Sequence, residues 1–183
     1  MKIYKSFLIR HDACKEAIEW YDTQKDKDID ALFKALIKDK EDLEWFNWYL
    51  SRRLKKIDKV RYAVFAARQV LHIFEDKYPD DDRPRKAIEA AEAYIKNPNS
   101  SNANAADTAA ASYYASAVNA ASAAAYSARS ARTGSYYAAY SARAARTGSY
   151  YAASYAVSYA ITAGGKETMI RILEYGIKLL KGE

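Results

Sequence analysis

Apolar residues recur at intervals of three and four through the first hundred positions, and no stretch alternates in the way a half-buried strand does. Leu32, Phe33, Leu36 and Ile37 share a helix face behind Asp28 or Asp30, whose short carboxylates suit the open amides of a first turn. Leu43, Phe46, Leu50 and Leu54 predict a helix over 41–55, and Val60, Val64, Ala67, Leu71 and Phe74 a longer one over 58–78, stopped by Pro79. Pro84 fits the first turn of the next helix, which carries Ala87, Ile88, Ala91 and Ile95 and closes at Asn97-Pro98-Asn99. Near the N-terminus, Asp12 is placed to cap a helix running through Ala17 and Trp20 to about Tyr21. The expected fold class is all-α, a multi-helix bundle.

Composition divides the chain without dividing it into domains. Residues 1–96 mix charged, aromatic and aliphatic side chains. Residues 97–165 contain no lysine, one acid (Asp107), four arginines and ten of the 17 tyrosines, in a background of Ala and Ser. Residues 166–183 return to a mixed alphabet and predict a C-terminal helix. An alanine-rich helix has little side-chain surface to bury, so it must pack closely on its neighbours. The expectation is therefore one domain over 1–183 with closely packed Ala-rich C-terminal helices.

The second part repeats itself. Ala124–Gly134 reads AAYSARSARTG and Ala138–Gly148 reads AAYSARAARTG, a spacing of 14 residues. That is close to four helical turns, so equivalent residues return to nearly one face. On a helical wheel Arg129, Arg132, Tyr136, Arg143, Arg146 and Tyr150 lie together, with Tyr140 in the same repeat, opposite a face of Ala131, Ala138, Ala142 and Ala145. Gly134 and Gly148 either end short helices or are tolerated within a long one, and some break is the expectation. The Arg/Tyr face reads either as a solvated surface or as an anion site. Guanidinium forks take phosphate bidentately, and tyrosine rings stack on a base or ribose.

Charge and chemistry narrow the functional classes. The net charge is +6 and the isoelectric point about 9.2, yet the basic residues of the first part alternate with acids, as in Lys25-Asp26-Lys27-Asp28. Four arginines are few for tracking a nucleic-acid duplex. His11 and His72 are too far apart for a metal site, and the single cysteine, Cys14, excludes a disulfide or cysteine-cluster framework. His72 is expected to pack in an apolar stripe, and Cys14 to be a small buried residue. Trp20, Trp45 and Trp48 are expected in the core. No phosphate loop, nucleophile elbow or zinc-hydrolase helix occurs. No catalytic residue, metal or cofactor is expected. No apolar run is long enough to span a membrane, and the N-terminus lacks the pattern of a secretory signal. A cytoplasmic location, in a bacterial host cell, is the expectation.

The segment Lys77-Tyr78-Pro79-Asp80-Asp81-Asp82-Arg83-Pro84-Arg85-Lys86-Ala87-Ile88-Glu89 resembles the immunity proteins of bacterial polymorphic-toxin systems, which also occur in phage and mobile-element genomes. The resemblance extends upstream through Cys14, Ala17, Trp20, Trp45, Trp48, Ala66, Ala67, Val70, Leu71 and Phe74. Downstream it is one of composition, and in all the resemblance covers roughly residues 12–163. Arg83 and Arg85 read either as a buried ion-paired corner or as part of an anion pocket.

These readings lead to an expected non-enzymatic binding protein that sequesters an anionic nucleotide-like molecule, a cyclic nucleotide or ADP-ribose derivative, as a phage or mobile-element counter-defence. The alternative implied by the resemblance is an immunity protein that occludes a toxin domain. The Ala-rich faces fit a homo-oligomer. A ligand at a hundred times its Kd stabilises by about 2.7 kcal/mol, which raises the melting point of a chain this size by roughly 5–11 °C. Arg132→Ala and Arg146→Ala are expected to abolish such a shift while the unliganded melting point stays unchanged. A shift retained in both variants overturns the assignment.

Overall fold

A computed structural model describes residues 1–109 and 150–183. Among them the chain is all-helical: α1 (Lys5–Arg10), α2 (Lys15–Thr23), α3 (Ile29–Asp39), α4 (Glu44–Arg53), α5 (Lys56–Glu75), α6 (Arg83–Lys96), α7 (100–109) and α8 (Tyr150–Lys181). The one extended pairing among the described residues is an isolated antiparallel bridge between Lys2 and Asp28. It seats Ile3 in the core, with the Ile3 amide donating to the Lys27 carbonyl at 2.9 Å and the Ile29 amide to the Met1 carbonyl at 2.8 Å.

Local chemistry accounts for several helix ends. Asp28 opens α3 by accepting from the Asp30 amide at 3.0 Å, and Lys40 closes it in a left-handed conformation, φ 60°. Pro84 lies in the first turn of α6. There it is Asp81, not Asp82, that accepts the Arg83 amide, at 3.2 Å. Asn99 accepts from the Asn102 amide at 2.8 Å while Asn102 reaches back to the Asn97 carbonyl at 2.9 Å. The Asn-Pro-Asn stop of α6 is thus also the start of α7.

Some boundaries differ from the sequence expectation. The N-cap of α2 is Cys14, because Asp12 takes a left-handed conformation, φ 56°, which Asp tolerates better than most residues. Helix α4 starts at Glu44, where the Asp42 side chain captures the Glu44 amide at 2.9 Å. Helix α5 runs from Lys56 to Glu75, short of the expected 78. Helix α1 was not anticipated: it has six residues and buries one of them, Leu8, too little for a periodic signal. The expected helix over 166–183 is the second arm of α8, which is continuous from Tyr150 except for Gly165, φ 73° and ψ −174°. The backbone break falls where the composition changes.

Helix α5 is the centre of the bundle, with α8 and α6 packed on it and α4 packed on α8. Small residues allow this crowding: Ala63, Ala66 and Ala67 on α5, Ala87 and Ala91 on α6, and Ala153 and Ala160 on α8 are all out of water. Larger side chains fill the rest, among them Tyr62, Ile88, Ile172 and Leu173. Phe65 stacks on Tyr175 with ring centroids 4.1 Å apart. Arg68 forms a bidentate pair with Glu92, both contacts 2.9 Å, tying α5 to α6. No helix among the described residues is long and apolar enough to cross a membrane.

The tightest approach is at Gly176 of α8. A Cβ there would lie 2.7 Å from the Tyr62 ring and 2.8 Å from Leu50 Cδ1. Neither neighbour has space to withdraw, since Tyr62 and Leu50 are both fully buried. Gly176→Ala is expected to cost about 1–3 kcal/mol through overpacking, and thus to lower the melting point by about 2–12 °C. An unchanged melting point would show that α8 is free to shift.

Candidate functional site

A cleft of about 390 Å³ opens between the N-terminal helices and α4. Its walls are Leu8 of α1, Asp12 and Ala13 of the connection, Cys14, Ala17, Trp20 and Tyr21 at α2, Leu32 and Leu36 of α3, Trp45, Phe46, Trp48 and Tyr49 of α4, with Ile3, Glu44 and Ser154. The volume and the mainly apolar, aromatic lining with few polar groups are those of a small-molecule site. All three tryptophans of the chain are in this wall. They were expected in the core, and each is instead only partly buried against it. Helical spacing brought Trp45 and Trp48 to one side of α4, and the bond from Trp20 to Asp39 at the end of α3 holds the third indole against Trp45.

Each ring is held. Trp20 and Trp45 meet with centroids 6.0 Å apart, and Trp20 Nε1 donates to Asp39 at 3.1 Å. Arg52 lies over the Trp48 ring at 4.2 Å. Phe7 meets Tyr49 edge-on at 5.3 Å. Tyr21 carries Lys27 on its ring at 4.0 Å and donates its hydroxyl to the Ile3 carbonyl at 2.9 Å.

One carboxylate in the wall is anchored from behind. Glu44 Oε2 accepts from Asn47 Nδ2 at 2.8 Å and from the Ser158 hydroxyl at 3.0 Å. Asn47 is fully buried on α4. Its amide nitrogen also lies 3.3 Å from the Ser154 carbonyl of α8, and its oxygen accepts from Ser51 at 3.3 Å and Tyr62 at 3.4 Å. This buried polar network joins α4, α5 and α8. Burial pushes the Glu44 carboxyl above the usual carboxylate range and the nearby charge of Asp42 adds to it, while the bonds from Asn47 and Ser158 pull the other way. The network was not foreseen. A polar pair three apart, Glu44 and Asn47, inside an apolar stripe was the available signal.

The sequence-predicted site residues fall elsewhere. Arg129, Arg132, Tyr136, Tyr140, Arg143 and Arg146, with the glycines Gly134 and Gly148, lie outside the described residues, and so does the side chain of Tyr150. Arg83 pairs with Asp81 at 2.5 Å and Arg85 with Glu75 of α5 at 2.7 Å. The ion-paired corner is therefore present, but its arginines are 40% and 47% exposed, not buried. Two further expectations are corrected. Cys14 is exposed, because the helix begins after it. His72 is exposed too: it follows Leu71 by 100°, a turn that carries it off the buried face of α5. No group of three or more His, Cys, Asp or Glu placed to hold a metal ion occurs among the described residues.

The raised Glu44 titration sets a sign for stability. The folded chain keeps this proton to higher pH than the unfolded chain, whose Glu titrates near 4.3. The contribution is complete below that value and is lost as pH rises through the folded one. Glu44→Gln keeps an acceptor for Asn47 and Ser158 and has nothing to ionise. Its melting point relative to the unsubstituted protein is expected to rise from about pH 4 to about pH 7. A constant difference across that range would show that burial does not hold the proton.

One family model matches the chain, over residues 32–180, from Leu32 in α3 to Leu180 in α8; its description is a family of unknown function, DUF6931. The match includes the α4 wall of the cleft and Ser154, and excludes the α1–α2 wall. No curated protein and no solved structure matches. With the match covering most of its length, the chain belongs to the DUF6931 family.

Proposed function

We propose that the chain is a non-enzymatic binding protein that takes a small molecule with an apolar ring into the tryptophan-lined cleft. The observation that carries this reading is the convergence of all three tryptophans on one cleft, where they stay partly exposed. A closed core would have withdrawn them, because an indole has a large apolar area to bury. The pieces for covalent or acid–base chemistry are few. Glu44 is the polar group built into the wall, and its anchored oxygen is occupied by Asn47 and Ser158.

A second reading is favoured by the distribution of charge. Arg61, Arg68, Arg83 and Arg85 each pair with a carboxylate, whereas residues 97–165 hold four arginines and a single acid. That imbalance supports an anion site on the Arg/Tyr repeat, with sequestration of a nucleotide-like molecule as its function. The resemblance to immunity proteins supports a toxin domain as partner in place of a small molecule.

Tryptophan emission reports on the cleft alone, since no tryptophan lies elsewhere. A panel of small apolar-ring compounds is expected to contain one that changes that emission saturably and slows the reaction of Cys14 with a thiol reagent. Trp45→Ala is expected to weaken its binding at least about tenfold, or 1.4 kcal/mol. Thermal stabilisation by a nucleotide, with unchanged emission and free Cys14, would establish the second reading instead. A panel silent in every readout, with a one-to-one complex formed by a toxin domain, would overturn both small-molecule readings.

A further inference from the structure

Resting on the reading of the cleft as a ligand site, we infer that it selects a protonated amine carried on an apolar ring, with Glu44 as the group that takes the ammonium and the Trp20–Trp45 pair as the surface that takes the ring. Three observations meet here. The wall contains two carboxyl groups, Asp12 and Glu44, and no lysine, arginine or histidine. The charge on the lining itself is thus negative and favours a cation, the nearby bases Lys27 and Arg52 being engaged on the rings of Tyr21 and Trp48. Second, Glu44 is held by one oxygen only. Both of its hydrogen bonds end on Oε2, so among the described residues Oε1 accepts nothing and is left for a donor in the cleft. A buried carboxylate with an unused oxygen gains from an ammonium partner, because the partner restores solvation lost on burial.

Third, the aromatic wall already attracts cations. Lys27 and Arg52 sit on the rings of Tyr21 and Trp48. The Trp20–Trp45 pair carries no cation among the described residues, so its faces are the ones left for a cationic ligand. Indole faces are the strongest of the aromatic side chains for this contact. An ammonium seated between an indole pair and a carboxylate satisfies its charge on both sides, and the ring attached to it covers Leu32 and Leu36 at the floor.

Three probes that share a phenylethyl group and differ in its polar end separate the possibilities: 2-phenylethylamine, 2-phenylethanol and 3-phenylpropionate. Their phenyl rings leave tryptophan emission readable, and Cys14 at the cleft gives an independent protection assay. The amine is expected to bind at least tenfold more tightly than the alcohol, with the carboxylate weakest. Glu44→Gln, which keeps the acceptor for Asn47 and Ser158, is expected to bring the amine down to the level of the alcohol. Asp12→Asn, on an exposed residue, is expected to lower amine binding less. Equal binding of amine and alcohol to the unsubstituted protein overturns the inference and leaves the cleft as a neutral-ligand site. The inference fails equally if the carboxylate binds best, or if Glu44→Gln keeps the amine preference. Silence of all three probes in both assays overturns it as well. The wider panel of apolar-ring compounds then decides separately whether the cleft binds anything.

Discussion

Tyr62 is wholly out of water at the centre of α5, and the face of α8 that covers it has no side chain at Gly176. That single close approach governs the bundle. It lets the second arm of α8 lie near enough to α5 for Ile172, Leu173 and Ile177 to bury, while Ser154 and Ser158, on the arm before Gly165, reach α4. Alanines at 63, 66 and 67 extend the same economy of volume toward α6. In a core built from small residues the gain comes less from the area of any one side chain than from dense contact between backbones.

The polar network follows from that geometry. A fully buried Asn47 must satisfy its amide, since an unpaired one costs on the order of 1–3 kcal/mol. It does so with groups from three helices. One consequence is that Glu44, in the first turn of α4, is fixed in the wall of the cleft and not turned out to water. The packing that stabilises the bundle therefore also places the one anchored charge of the candidate site. On the opposite side, the N-terminal bridge to Asp28 and the Tyr21 hydroxyl on Ile3 hold α1 and α2 as the other wall.

Much of the fold was legible from local signals. The Asp28 cap, the Pro84 first turn and the Asn97-Pro98-Asn99 stop act through backbone groups a few residues away, so they need no knowledge of the rest of the chain. The apolar stripes of α3, α4 and α5 were legible for the same reason. Helix α1 was not, because one buried leucine in six residues makes no period. His72 was misplaced by adjacency: it neighbours Leu71 in sequence, yet a step of one residue turns a helix by 100° and leaves it outside. Cys14 took the capping position expected of Asp12 because the left-handed turn at Asp12 depends on how α1 meets α2.

The candidate site was far less legible. Trp20, Trp45 and Trp48 at helical spacing were indistinguishable from core residues in one dimension. Which face of α4 is covered depends on where α1 and α2 settle, a matter of long-range packing. The charge on Arg83 and Arg85 was plain from the sequence, but their partners, one local and one on α5, emerged only in three dimensions. By itself, then, the sequence determined an all-helical chain with these caps, stops and apolar faces, because such features are settled over distances of about one helical turn. The tertiary structure decided which faces stay uncovered and where Glu44 points, because both depend on contacts between residues as far apart as Glu44 and Ser158.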